Sequence, residues 1–296
     1  MFSPLRIKIP FLLDIIIVSD PEHIKKIETS GDVDRPHANG TAGVPLWLKM
    51  FLRATRFYDS ERDLWFLALE SASNPDVERR RAYLEAQVAK GYSESDVNNI
   101  AGLLNTNAND EALEHGIAQI VNRRFFGEEI PLPITKAAKH SVQNLGEAIL
   151  PWKYLRARRS QKEIMRYCHQ NLGKDVHLVD VGHNIGEVVE TTAGAIRTLQ
   201  DNLEKPVEEI FTLHAPTPQV PRIAVKSSRF DGLLTLPTVE GKTVFIFQIG
   251  KAAAKTKDIL FTFGTGSPER TCVFSQFFLE FMTDLQKVLR AGAPPS

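Results

Sequence analysis

Two places in this 296-residue chain combine residue types that do chemistry. The first is Phe261-Thr-Phe-Gly-Thr-Gly-Ser-Pro-Glu-Arg-Thr-Cys-Val-Phe274, which delivers Cys272 at the end of a Gly-rich turn. An apolar run from Phe277 to Leu289 follows and reads as a helix. A helix N-terminus and a nearby arginine, Arg270, both favour the thiolate over the thiol. A thiolate held this way suits haem iron as an axial ligand, because the electron density it donates favours O–O cleavage. The same residue also reads as a buried, unliganded thiol behind a Gly/Pro turn. The second place is Glu190-Thr191, an acid followed by an alcohol in the middle of the apolar-periodic run from Asp180 to Leu203. An ordinary buried helix with a polar notch would look the same.

The elements that must position these groups are mostly helical. Ile185, Val188, Val189, Thr192, Ile196 and Leu199 form one broad stripe at helical spacing. Upstream, residues 44 to about 173 read as helices with short breaks, over Leu46 to Phe57, Asn74 to Gly91, Ser93 to Leu104 and Asn109 to Phe126. Pro131 and Pro133 mark a loop. The run Ile9 to Val18 reads as a buried strand, and Ser19-Asp20-Pro21-Glu22 as a capped helix start leading into His23 to Glu28. Arg222 to Val225, Gly232 to Leu236 and Thr243 to Ile249 carry the β-branched enrichment of strands, and Gly250 to Asp258 reads as a basic, Ala-rich connector.

Composition bounds the rest. Thirty-six basic and 36 acidic side chains cancel, which argues against a nucleic-acid partner or a polybasic membrane surface. Lys153, Arg156, Arg158 and Arg159 are read as a solvated helix face rather than an anion site. The two cysteines, Cys168 and Cys272, offer neither a disulfide framework nor zinc-site spacing, so a reducing, cytoplasmic compartment is expected. The N-terminal apolar run is shorter than the roughly 20 residues a membrane span needs.

In order along the chain, these motifs resemble the cytochrome P-450 family. Phe263, Gly264, Gly266, Arg270 and Cys272 are similar to its cysteine-ligand loop, with two extra residues before the cysteine and Phe274 where the family has glycine. Glu190-Thr191-Thr192 resembles its distal-helix motif, with Glu187 and Val188 where small residues usually open an oxygen groove. Glu209 matches the glutamate of its E-x-x-R helix, but Thr212 replaces the arginine. Ser19-Asp20-Pro21-Glu22 resembles its first strand-to-helix turn.

The resemblance implies a single mostly α, reduced P-450-like domain over residues 1–296, with a helical middle (44–205), a β region (220–250) and a cysteine loop with C-terminal helix (261–290). It implies haem b with Cys272 as iron ligand, Phe263 against the thiolate turn, Arg270 and Arg222 on the propionates, and Glu190 and Thr191 relaying protons during dioxygen activation. The implied function is a haem-thiolate monooxygenase or peroxide-using oxygenase acting on an apolar small molecule, served by an electron-transfer partner. Alternatives are a hydroperoxide isomerase of the allene oxide synthase type, which the crowding Val188 would suit, and a non-catalytic relic that binds a ligand or partner.

Overall fold

The computed structural model describes residues 4–9, 13–35, 58–59, 64–65, 67, 74–143, 151–172, 178–234, 236–264 and 271–292. Helix dominates, beside a small mixed sheet. The chain divides into two compact units. The first holds Met1–Met50, Ala68–Val77 and Glu208–Cys272; the second holds Phe51–Leu67, Glu78–Val207 and Val273–Ser296. The expected helix Leu46 to Phe57 lies outside the described residues.

The first unit is built on a five-stranded sheet of order β1-β2-β7-β6-β3, while β4 (Tyr58–Asp59) and β5 (Leu64–Trp65) pair with each other in the second unit. Strands β1 (Leu5–Ile9) and β2 (Leu13–Val18) pair antiparallel, with Leu5 opposite Ile17 and Lys8 opposite Asp14. The apolar run from Ile9 to Val18 is therefore not one strand: Ile9 ends β1, and Leu13–Val18 is β2. The reason lies in Arg6, whose guanidinium grips the Asp14 carboxylate on the neighbouring strand. Asp14 also accepts from the Thr243 hydroxyl at 2.9 Å, which links β2 to its parallel neighbour β7 (Thr243–Phe247). Strand β6 (Val220–Ala224) pairs antiparallel with β7, and β3 (Val33–Asp34) with β6.

Side chains along β2 and β7 alternate between buried and half-buried, the period-two pattern of strands with one face on a core. Ile16, Val18, Phe245 and Phe247 meet Ile24 and Ile27 of helix α1 (Pro21–Glu28) in that core. Asp20 caps α1 by accepting from the Glu22 and His23 amides, as its position before Pro21 predicts. Gly250 to Asp258, expected as a connector, instead forms helix Ile249–Thr256. Alanine and lysine are strong helix formers, and Ala252 and Ala253 are small enough to sit against the sheet core.

The second unit is helical: α2 (Val77–Val88), α3 (Glu94–Asn105), α4 (Asp110–Phe126), α5 (Leu132–Gln143), α6 (Pro151–Asn171), then a long helix α7, then Ser275–Gly292. Ser93 and Asp96 form a capping box for α3, and Asn109 caps α4. The loop expected at Pro131 and Pro133 is the start of α5, since Pro133 sits in a first turn where its missing N–H costs nothing. Helix α7 runs through Leu178–His183, Asn184–Val188 and Val189–Gln200, with the middle stretch wound as a π-helix.

Its anchor is Asp180. The carboxylate accepts from Arg80 Nε at 2.9 Å, Arg80 Nη2 at 2.8 Å and the Leu67 amide at 2.7 Å. Arg80 is 0% and Asp180 1% exposed, so two desolvated charges are joined with good geometry. The same carboxylate and burial push the Tyr83 hydroxyl up, burial most strongly. Removing either member breaks this buried pair. Asp180→Ala should therefore lower the unfolding free energy by about 3–5 kcal/mol in urea titrations. Arg81→Ala, which breaks the half-exposed Arg81–Glu85 pair, should change it by no more than about 0.5 kcal/mol.

Candidate functional site

The cysteine segment belongs to the first unit. Asp258 caps the short helical turn Ile259–Phe263 through the Leu260 amide. Phe261 is fully buried and lies under the Lys25 ammonium, 5.4 Å from its ring centroid. The Thr262 hydroxyl donates to the Phe211 carbonyl at 3.0 Å, tying the turn to helix Val207–Leu213. Phe263 is half-buried, and its carbonyl accepts from the Cys272 amide at 2.8 Å. That one backbone bond closes the loop between them and fixes where the cysteine stands. Cys272 is exposed, so the reading of it as a buried inert thiol is overturned. The buried thiol is Cys168, pushed up to about 12 by burial. Arg270 lies outside the described residues.

Helix Val207–Leu213 carries the position where the resemblance expected an ion pair. Glu209 is exposed to solvent. Thr212 is buried and donates to the Glu208 carbonyl at 2.6 Å, closing on its own helix. A hydroxyl can satisfy itself in this way, which a guanidinium could not.

Arg222, on β6, is 7% exposed, and its Nε lies 3.0 and 3.1 Å from the two oxygens of Glu28. Its Nη1 donates to the Pro221 carbonyl. The guanidinium assigned to a haem propionate thus already holds a carboxylate, supplied by the last residue of α1. Sequence reading missed Glu28. A signal for it existed, because an acid in the final turn opposes the helix dipole unless a cation answers it.

Glu190 and Thr191 belong to the second unit, on α7 just past the π-helical turn. Two side chains bracket that turn by bonding into the backbone ladder. Asn184 Nδ2 donates to the Asp180 carbonyl at 2.7 Å, and Thr192 Oγ1 to the Val188 carbonyl at 2.7 Å. Insertion of this kind is a recognised cause of local helix widening, and single π turns recur at functional sites. Both Glu190 and Thr191 are half-buried, as is Val188.

Glu190 Oε2 is buried with no hydrogen-bond partner among the described residues. Burial raises its carboxyl above the usual range, with the charges of Glu114 and Glu187 adding to the effect and Lys139 opposing it. Glu114 on α4 is itself buried and accepts from Lys139 of α5 at 2.8 Å. Glu187 lies 3.6 Å from His183 Nδ1. The sequence did not reveal this shell, because Glu114 and Lys139 come from helices whose packing no local pattern specifies.

A carboxyl whose affinity for its proton is raised, next to an alcohol, can take part in proton transfer. An exposed thiol on a closed loop can ligate iron. The exposed cysteine fits a thiolate-ligated haem. Arg222 could take a propionate only by releasing Glu28.

The raised carboxyl of Glu190 has a signed consequence. Below 4.5, the ordinary glutamate value, it is protonated folded or unfolded and contributes no pH dependence. As pH rises above that, the folded state must surrender a proton it holds more tightly, so stability falls until the raised value is passed. Unfolding free energies measured from pH 4 to pH 8 should therefore show wild type losing stability relative to Glu190→Gln. Parallel curves would mean that burial leaves this carboxyl untouched.

No protein-family model matches the chain, and no curated protein sequence matches it. Solved structures do. Cyanobacterial CYP120A1 with retinoic acid bound superimposes with a TM-score of 0.65 at 14% identity, covering 97% of this chain and 84% of that one. A mutant of cytochrome P-450SP alpha (CYP152B1) gives 0.64 at 12%, covering 97% and 85%. The Bacillus subtilis cytochrome P-450 PksS, of the bacillaene polyketide synthase, gives 0.59 at 12% with the same coverage. Taken with the long distal-type helix and the closed cysteine loop, these likenesses show that the chain has the cytochrome P-450-like fold.

Proposed function

We propose that this protein is a haem-thiolate oxidoreductase acting on an apolar small molecule, with Cys272 as the iron ligand. The observation that carries the reading is the exposed cysteine held by its own amide to the Phe263 carbonyl, in a chain of cytochrome P-450-like fold. When bound, a thiolate-ligated haem supplies electron-transfer chemistry and the push that cleaves an O–O bond. The protein's own residues supply the rest.

Phe263 supports the cysteine loop through its carbonyl and its half-buried ring. Glu190, whose burial raises its affinity for a proton, and the Thr191 hydroxyl, next in sequence, relay protons toward the reacting oxygen. Arg270 and Arg222 are the propionate candidates, Arg222 by exchanging Glu28 for that carboxylate. Retention of the acid–alcohol pair favours oxygen insertion, with dioxygen and an electron-transfer partner or with peroxide. Bound small molecules in the similar structures include retinoic acid in CYP120A1 and (R)-ibuprofen in cytochrome P-450SP alpha. Both are apolar carboxylic acids, so this class of compound is the first to screen.

A second reading, a non-catalytic P-450-fold binding protein, draws on a specific observation. The buried cation expected at Thr212 is absent, and Arg222 is engaged by Glu28.

Expression with a haem precursor separates the two. The reduced protein with carbon monoxide should show the Soret shift of thiolate-ligated haem, and Cys272→Ala should abolish it. A colourless protein overturns the enzyme reading. In haem-loaded protein, Thr191→Ala should lower turnover by about 10² or more while leaving haem content unchanged. Comparing NADPH plus reductase with a lipid hydroperoxide then divides oxygen insertion from hydroperoxide isomerisation.

Arg222→Ala and Glu28→Ala should each destabilise the fold, since each breaks a buried ion pair. Haem content at fixed temperature distinguishes the roles of the arginine. A propionate ligand predicts that Arg222→Ala loses haem and Glu28→Ala retains it, whereas a purely structural arginine predicts that the two variants behave alike.

A further inference from the structure

Helix α6 has two opposed faces. Ala157, Gln161, Ile164 and Cys168, spaced at helical intervals, are all buried. On the other side, within one stripe, lie Trp152, Leu155, Arg156, Arg159, Lys162 and Arg166. Trp152 is 57% and Leu155 66% exposed, high values for large apolar side chains. Arg156, Arg159, Lys162 and Arg166 are exposed too, and none of the four has an ion-pair partner among the described residues.

The helix as a whole bears six basic residues and a single acid, Glu163, in a chain whose 36 cations and 36 anions balance overall. A surface groove of about 630 Å³ runs beside it, lined by Tyr154, Leu155, Arg158, Arg159, Lys162, Glu163 and Arg166. Zero net charge argued from sequence that this was an ordinary solvated face. The fold concentrates charge that the average conceals.

Unpaired cations alone would attract any polyanion. The exposed indole and leucine in the same stripe narrow the choice, because they favour a partner with an apolar layer beneath its charges. Tryptophan settles at the headgroup level of bilayers, and helices of this composition lie in the interfacial plane. From Trp152 to Arg166 the stripe is about 21 Å long, enough to meet several headgroups. No helix among the described residues is long and apolar enough to cross a membrane, so the contact would lie in the plane of the surface.

We propose that this face of α6 seats the protein on an anionic lipid bilayer. Trp152 and Leu155 enter the interface, while Arg156, Arg159, Lys162 and Arg166 lie against lipid phosphates. The inference stands on the helix alone and is independent of haem binding.

The full chain should be sedimented with vesicles of phosphatidylcholine and with vesicles of phosphatidylcholine mixed with phosphatidylglycerol. Binding is expected to the mixed vesicles only, and to disappear near 1 M salt, where the Debye length shrinks to about 3 Å. Each neutralisation, Arg156→Gln, Arg159→Gln, Lys162→Gln or Arg166→Gln, should weaken partitioning about five-fold. Leu155→Ser should weaken binding at any salt concentration. A blue shift of tryptophan emission on binding should vanish in Trp152→Phe. All these positions are exposed, and circular dichroism should show each variant folded.

Equal binding to neutral vesicles, or mixed-vesicle binding unchanged when all four cations are neutralised, overturns the proposal. So does displacement from vesicles by soluble glycerol phosphate, which would make the groove a site for a free phosphate. Retention on polyglutamate without vesicle binding also overturns it and assigns the face to an acidic polypeptide.

Discussion

The buried bond between Arg80 and Asp180 is the constraint from which the second unit is built. One carboxylate takes two guanidinium donors and the Leu67 amide, while its own backbone carbonyl takes the side chain of Asn184. That last contact starts the π-helical turn, because an amide side chain now occupies an acceptor of the ordinary ladder. The register of everything downstream on the helix follows, including Glu190 and Thr191. A pair this deeply buried contributes little net stability against an apolar equivalent, yet it is costly to break, so it specifies an arrangement more than it strengthens one.

The same logic recurs in the first unit. Arg222 and Glu28 form a second buried pair, here joining β6 to the end of α1, and Arg6 with Asp14 joins the edge hairpin. Asp14 is held below the usual carboxylate range despite burial, because Arg6 and Thr243 both donate to it. Arg222, which the resemblance assigns to a haem propionate, is here held by Glu28. The cysteine loop is held differently, by a backbone hydrogen bond and a buried phenylalanine, neither of which depends on protonation.

A buried acid on one helix and an exposed basic stripe on another show how far local charge departs from the whole-chain balance of zero. Around Glu190, burial and the charges of Glu114 and Glu187, opposed by one lysine, raise the acid's affinity for its proton. Along α6 the cations outnumber the anions six to one. Counting charges over the chain averages these two environments away.

Much was legible in the sequence, and for identifiable reasons. Helix starts at Asp20, Ser93 and Asn109 were readable because capping is a local affair of side chain and amide within one turn. The long apolar-periodic helix and the ordered motifs around Glu190 and Cys272 pointed to the cytochrome P-450-like fold, since periodicity and spacing survive where identity does not. The sequence misled wherever a distant partner decided the outcome. It could not show that Arg222 is claimed by Glu28, 194 positions away, or that Asp180 is claimed by Arg80. Nor could it show that Ile9 and Val18 lie on opposite strands of a hairpin, or that Cys272 faces outward. Composition and local spacing determine which helices and strands form and which faces are apolar. Only tertiary packing decides which charges meet, because the energy of a buried ion pair depends on a separation in space that no separation along the chain encodes.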